Sequence, residues 1–154
     1  MGREQSGRII RVETGIPAGM ILLDTHVLLW LAEDSKRLGV KARKRIEADS
    51  GEVHLSAMSF WEIAMLVDKQ RIALSMPLTQ WTERLMDLGK FRIISIDAAI
   101  ARDAGALPGD IHGDPSDRMI IATARSLGCP VLTADGPILA YAAKGHVEAL
   151  DAAH

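Results

Sequence analysis

The sequence predicts a three-layer α/β/α domain with a mostly parallel central sheet, and two patterns predict it. Short apolar, β-branched runs alternate with stretches of helical periodicity along the whole chain, as strands and crossover helices do in a parallel sheet. Acids also stand where these runs stop: Asp24 follows Ile21-Leu22-Leu23 directly, and Asp135 lies just past Val131-Leu132-Thr133. In open α/β sheets, ligands bind outside the carboxyl ends of the strands.

Taken in order, residues 1–19 are polar, with glycines at 2, 7, 15 and 19, and Ile9, Ile10 and Val12 are their one strand-like piece. They read as an N-terminal extension, poorly ordered and added by an upstream start codon, ahead of a single domain at 20–154. Ile21-Leu22-Leu23 is the first strand. Val27 to Leu31 are an apolar helix that closes near Asp34, and a second helix follows over about 39–48. Around it stand Lys36, Arg37, Lys41, Arg43, Lys44 and Arg45, with no acid among residues 36–45. Such a run is either a solvated helix face or a patch that contacts phosphates. Val53-His54-Leu55 is the second strand and 59–69 the next helix; residues 71–74 are a short extended piece. Pro77 opens a helix through Trp81, Leu85 and Leu88 that Gly89 ends.

Residues 91–96 are a strand, and Asp97 caps a helix that stops before Leu107-Pro108-Gly109. A glycine-containing loop over 109–113 carries His112. Asp114 is a good N-cap, Pro115 suits the first helical position, and Ile120, Ile121, Ala124 and Leu127 recur at helical spacing. Gly128 and Pro130 end that helix before the strand at 131–133. A turn, a short helix over 137–143 and an edge strand over 147–150 complete the chain.

Composition narrows the function. With 154 residues, 48% of them hydrophobic and 25% charged, the chain fits one domain with a sizeable core. Cys129 is the single cysteine, which excludes an intramolecular disulfide and a cysteine-based zinc site; it reads as a buried small hydrophobe. No apolar run approaches the roughly 20 residues of a membrane span, and the N-terminus lacks a signal-peptide core, so the expected location is cytoplasmic. The net charge of −2 does not advertise nucleic-acid binding, and an acid cluster can mask a basic surface elsewhere.

Each candidate acid has an ordinary reading. Asp24 can be a turn or cap residue, Asp114 a cap, Asp117 a helix N3 acid that favours the dipole, and Asp135 a turn residue. Glu62 is harder to place, because Ser59-Phe60-Trp61-Glu62-Ile63-Ala64-Met65-Leu66-Val67 is apolar nearly all round and reads as buried. A buried carboxylate needs a partner, a proton or a metal, and Lys69 is the nearest candidate partner on the same stripe. Together Asp24, Glu62, Asp117 and Asp135 make an oxygen-only set, with Thr133 on the Asp135 side of its strand. Hard oxygen donors select Mg²⁺ or Mn²⁺, and close like charges cannot all stay ionised without a cation.

At these residues the chain resembles the PIN-domain ribonucleases, specifically VapC-type toxins of toxin–antitoxin pairs. The resemblance lies in Ile21-Leu22-Leu23-Asp24-Thr25-His26, Ser59-Phe60-Trp61-Glu62-Ile63-Ala64, His112-Gly113-Asp114-Pro115-Ser116-Asp117-Arg118 and Leu132-Thr133-Ala134-Asp135, in the family's order and spacing. It covers roughly residues 20–150. It implies a Mg²⁺-dependent endoribonuclease, with Mn²⁺ as the other candidate ion. Asp24, Glu62, Asp117 and Asp135 would be the metal-binding catalytic acids, Thr133 would hydrogen-bond beside them, and Asp114 would cap the helix. It also implies a small antitoxin partner and a homodimer. Leu66 and Val67 stand where many relatives carry a lysine, and Gln70-Arg71 where many have a glycine before a basic residue.

Competing readings are a metal-independent ribonuclease using His26 and His112 as acid and base, and a PIN-like module that binds RNA or a partner without turnover. A phosphatase of the haloacid dehalogenase class would need a second aspartate where His26 stands.

Overall fold

The first strand decides where everything else packs. In a computed structural model, which describes residues 19–48 and 53–154, Ile21, Leu22 and Leu23 are fully solvent-excluded and form β1 (Ile21–Leu23). The expectation for the N-terminal extension falls on residues 1–18 and lies outside the described residues.

The elements that follow are α1 (Thr25–Ala32), α2 (Val40–Ala48), β2 (Val53–Ser56), α3 (Ala57–Asp68), α4 (Leu78–Asp87), β3 (Phe91–Ile94), α5 (Ala98–Gly105), α6 (Pro115–Leu127), β4 (Val131–Thr133), α7 (Gly136–Ala143) and β5 (Ala149–Asp151). The strands form one five-stranded sheet in the order β3-β2-β1-β4-β5, every neighbouring pair parallel. Residues 71–74 join no strand; Ile72 and Leu74 instead pack against the core. The third strand ends at Ile94, two residues short of the sequence expectation.

Side chains alternate across the sheet, so adjacent residues feed different layers. Ile21, Leu23 and Leu132 join Val27, Leu28, Ala42, Ile46 and Ile63 on one side. Leu22 and Val131 join Ile120, Ile121, Ile138 and Tyr141 on the other, and Ile100, Ala104 and Ala122 weld α5 to α6 there. These are the three layers the sequence predicts.

One prediction for α3 fails. Only Ser59 and Ile63 of this helix are buried, and Trp61 is 54% exposed, so the apolar circumference does not mark a buried helix. Among the described residues no helix is long and apolar enough to cross a membrane.

The chain's last residues lie against α2. Gly39 N–H donates to Ala152 O at 2.8 Å and Ala42 N–H to His154 O at 3.0 Å. A Cβ at residue 39 would sit 2.1 Å from His154 O, a distance no side chain tolerates. Gly39→Ala is therefore expected to displace the C-terminal residues and to lower the melting temperature, by about 1–3 kcal/mol of stability. Gly136→Ala, where nothing lies within 4 Å, is expected to leave the melt unchanged or raise it. Thermal unfolding of the two variants checks the contrast.

Candidate active site

The strand order creates a crevice at one place. From the central β1 the chain winds outward through β2 and β3, then returns to the other side of β1 for β4 and β5. The switch point lies between the carboxyl ends of β1 and β4, where such sheets bind ligands. Asp24 follows β1 and Asp135 follows β4, and Asp24 N–H donates to Leu132 O at 3.0 Å, tying the two strand ends together.

Local sequence places each acid. Asp24 is the N-cap of α1 and its Oδ1 accepts from Thr25 N–H at 2.7 Å. Asp135 is the N-cap of α7 and its Oδ2 accepts from Ile138 N–H at 3.0 Å. Asp114 caps α6, taking the Asp117 N–H on Oδ1 at 3.1 Å, with Pro115 following as the helix opens. Asp117 then stands in the first turn of α6, so three helix N-termini direct their positive ends at the acids. Gly128, in the left-handed region at φ 66°, ends α6 and releases the chain into β4.

Hydroxyls organise the carboxylates. Thr133 Oγ1 donates to Asp24 Oδ2 at 2.7 Å and accepts from Asp135 N–H at 3.0 Å, so one side chain links two acids. Ser116 Oγ donates to Glu62 Oε1 at 2.5 Å, which brings α3 to α6. Thr25 and Ser59, both fully buried, share a hydrogen bond of 2.9 Å between α1 and α3. Glu62 thus has a hydroxyl partner from α6, not the Lys69 ammonium that its helix suggests.

Electrostatics show how crowded the cluster is. Burial pushes the Asp117 carboxyl up to about 8, and the charges of Asp24, Asp114, Asp135 and Glu62 add to the rise. Burial also raises Asp24, against the pull of its hydrogen bonds from Thr133 and Thr25. His112 Nε2 lies 3.2 Å from Asp117 Oδ2. One ligand-type atom each from His112, Asp117 and Asp135 fall within 4.8 Å of one another. A carboxylate set that resists full ionisation on its own is a donor set suited to a hard divalent cation.

The basic residues divide. Lys36, Arg37, Lys41 and Lys44 are exposed, and Arg43 is half-buried and ion-paired to Asp34 at 3.1 Å. Arg45 is only 6% exposed, which removes it from any surface patch. Ser116, Ser59 and Thr25 are not singled out by any motif in the sequence; a small polar residue on an otherwise buried helix face is the signal that marks them. From sequence, His112 is a candidate only as the acid or base of a metal-free mechanism. A groove of about 1100 Å³ at the amino ends of β1, β4 and β5, lined by Met20, Cys129, Pro130 and Glu148, holds none of these acids.

This fold, with acids gathered at its switch point, defines a class: a PIN-domain model matches residues 21–144, and the chain belongs to the PIN-domain family. Within it the chain sits with the VapC-type proteins. It is 36% identical over 115 residues to Ribonuclease VapC22 of Mycobacterium tuberculosis, covering 75% of this chain and 86% of that protein. Among solved structures, FitAcB from Neisseria gonorrhoeae is similar with a TM-score of 0.65 at 23% identity, over 88% of this chain and 99% of that one. A toxin–antitoxin complex from Klebsiella pneumoniae gives a TM-score of 0.54 at 24% identity, over 75% and 86%. The two structures show the shared fold.

Proposed function

We propose that this chain is a Mg²⁺-dependent endoribonuclease and the toxin of a toxin–antitoxin pair. The observation that supports the reading is the network at the switch point: Thr133 links Asp24 to Asp135, Ser116 ties Glu62 to the first turn of α6 beside Asp117, and the charges of Asp24, Asp135 and Glu62 all act on Asp117. The name of the M. tuberculosis relative supports the ribonuclease, and the Klebsiella pneumoniae neighbour supports an antitoxin partner. As in the family the sequence resembles, a homodimer is the expected assembly.

Asp24, Glu62, Asp117 and Asp135 would hold the Mg²⁺, or Mn²⁺ in its place, and the metal would supply charge neutralisation and activation of water at a phosphodiester. The remaining work falls to the chain's own groups. Thr133 holds the Asp24 carboxylate by donating to Oδ2, and Ser116 orients Glu62. The start of α2 hydrogen-bonds to Ala152 and His154, just past β5, so this helix begins at the carboxyl edge of the sheet, and Lys36, Arg37, Lys41 and Lys44 are exposed on and just before it. They are suited to the RNA backbone rather than to base identity.

The test is cleavage of single-stranded RNA with Mg²⁺ and with EDTA, for wild type and Asp24→Asn. Cleavage that EDTA stops and that falls by at least about 10³-fold in the variant is expected, since several kcal/mol of charge stabilisation is removed. EDTA-resistant cleavage would transfer the chemistry to His26 and His112. Mg²⁺-dependent RNA binding without turnover would make the chain a binding module instead.

A further inference from the structure

His112 sits on a loop that the sequence marks as irregular, yet the loop is pinned. The Arg118 guanidinium donates from Nε to Ala104 O at 2.8 Å and from Nη2 to Gly105 O at 3.4 Å, closing the end of α5. Its Nη1 reaches Ile111 O at 3.3 Å and His112 O at 3.4 Å. Further back, the Tyr141 hydroxyl donates to Pro108 O, and Gly109 turns at φ 71° against the His146 ring. A side chain one residue past Asp117 therefore fixes the backbone that presents His112 to Asp117.

The imidazole is then oriented from both sides. The Asp114 N–H donates to Nδ1 at 3.2 Å, which occupies the Nδ1 lone pair and leaves Nε2 as the ring's donor position. Nε2 is the nitrogen 3.2 Å from Asp117 Oδ2. By distance alone, His112, Asp117 and Asp135 form a three-ligand cation group. The hydrogen bond at Nδ1 favours a donor role for Nε2 instead, because a nitrogen that carries a proton donates and does not ligate.

We propose that His112 is a positioning residue for Asp117: its Nε2–H holds one carboxylate oxygen and leaves the other for a divalent cation, with Arg118 clamping the loop. This rests on the metal-dependent reading above. It assigns to a histidine the orienting task that partners of metal ligands commonly perform.

Two measurements test it. The first is ¹⁵N NMR of the His112 imidazole in the metal-free wild type, where the Nε2-protonated tautomer is expected. The second is titration of Mg²⁺ and of Mn²⁺ into wild type, His112→Ala and His112→Gln. The alanine variant should weaken both ions by the same factor, about 10–100-fold, and glutamine, whose amide N–H can reach Asp117, should return affinity to within about threefold of wild type. A proton on Nδ1 would overturn the proposal. So would unchanged affinity in the alanine variant, or a loss confined to Mn²⁺, which would mark the histidine as a ligand. A wild type that binds neither ion would overturn the metal-dependent reading, and the proposal with it.

Discussion

Asp117→Asn is expected to abolish RNA cleavage and, in the metal-free protein near pH 8, to raise the melting temperature. The two effects have one cause. Asp117 sits where burial and the charges of Asp24, Asp114, Asp135 and Glu62 disfavour its ionised form. The unfolded chain imposes no such penalty, so each ionised copy of Asp117 destabilises the folded state. Asparagine removes the charge and keeps an oxygen that can accept from His112. A gain of about 2 kcal/mol, or roughly 4–8 °C for a chain of this size, is expected in a thermal melt with EDTA. Cleavage should fall by at least about 10³-fold, because the same carboxylate would hold the cation. A variant that melts lower than wild type would mean that Asp117 is a structural cap residue first.

The second large effect is on pH. Asp117 has a folded-state value of about 8 against an ordinary 3.8, and burial raises Asp24 in the same direction. A raised acid lends stability that is fully present below the unfolded value and is lost as pH rises through the folded one. The metal-free protein should therefore lose stability between about pH 4 and pH 8, at roughly 1.4 kcal/mol per unit from Asp117 while it stays protonated only in the folded state. Cation binding must expel that proton. The dissociation constant for Mg²⁺ should fall by about tenfold per pH unit from about pH 6 to pH 8 and level off above, more steeply if Asp24 also releases a proton. Calorimetric titration across that range reads the slope, and a pH-independent affinity would contradict it.

Much of this arrangement is readable from the chain itself. Asp24 and Asp135 announce their positions because each ends a short apolar strand run, and Asp114-Pro115 marks the start of α6. Glu62 stands out in the sequence because α3 is apolar nearly all round and reads as buried, yet the helix is only half-buried. Glu62 still joins the site, through a hydroxyl 54 residues away in sequence. Such a partner is invisible in one sequence, because local periodicity says nothing about which helices meet. Strand order has the same character. Alternating strands and helices predict a parallel sheet, but only the pairing of β1 with both β2 and β4 puts Asp24 beside Thr133. Arg45 teaches the converse lesson: a run of cations reads as surface until the helix turns one of them inward.

The most direct test of the site is Mn²⁺ binding followed by electron paramagnetic resonance in wild type, Asp24→Asn and Asp117→Asn. Saturable binding to the wild type that both variants lose is the expected result. Binding that survives in both variants at wild-type affinity would show that these acids do not form a cation site.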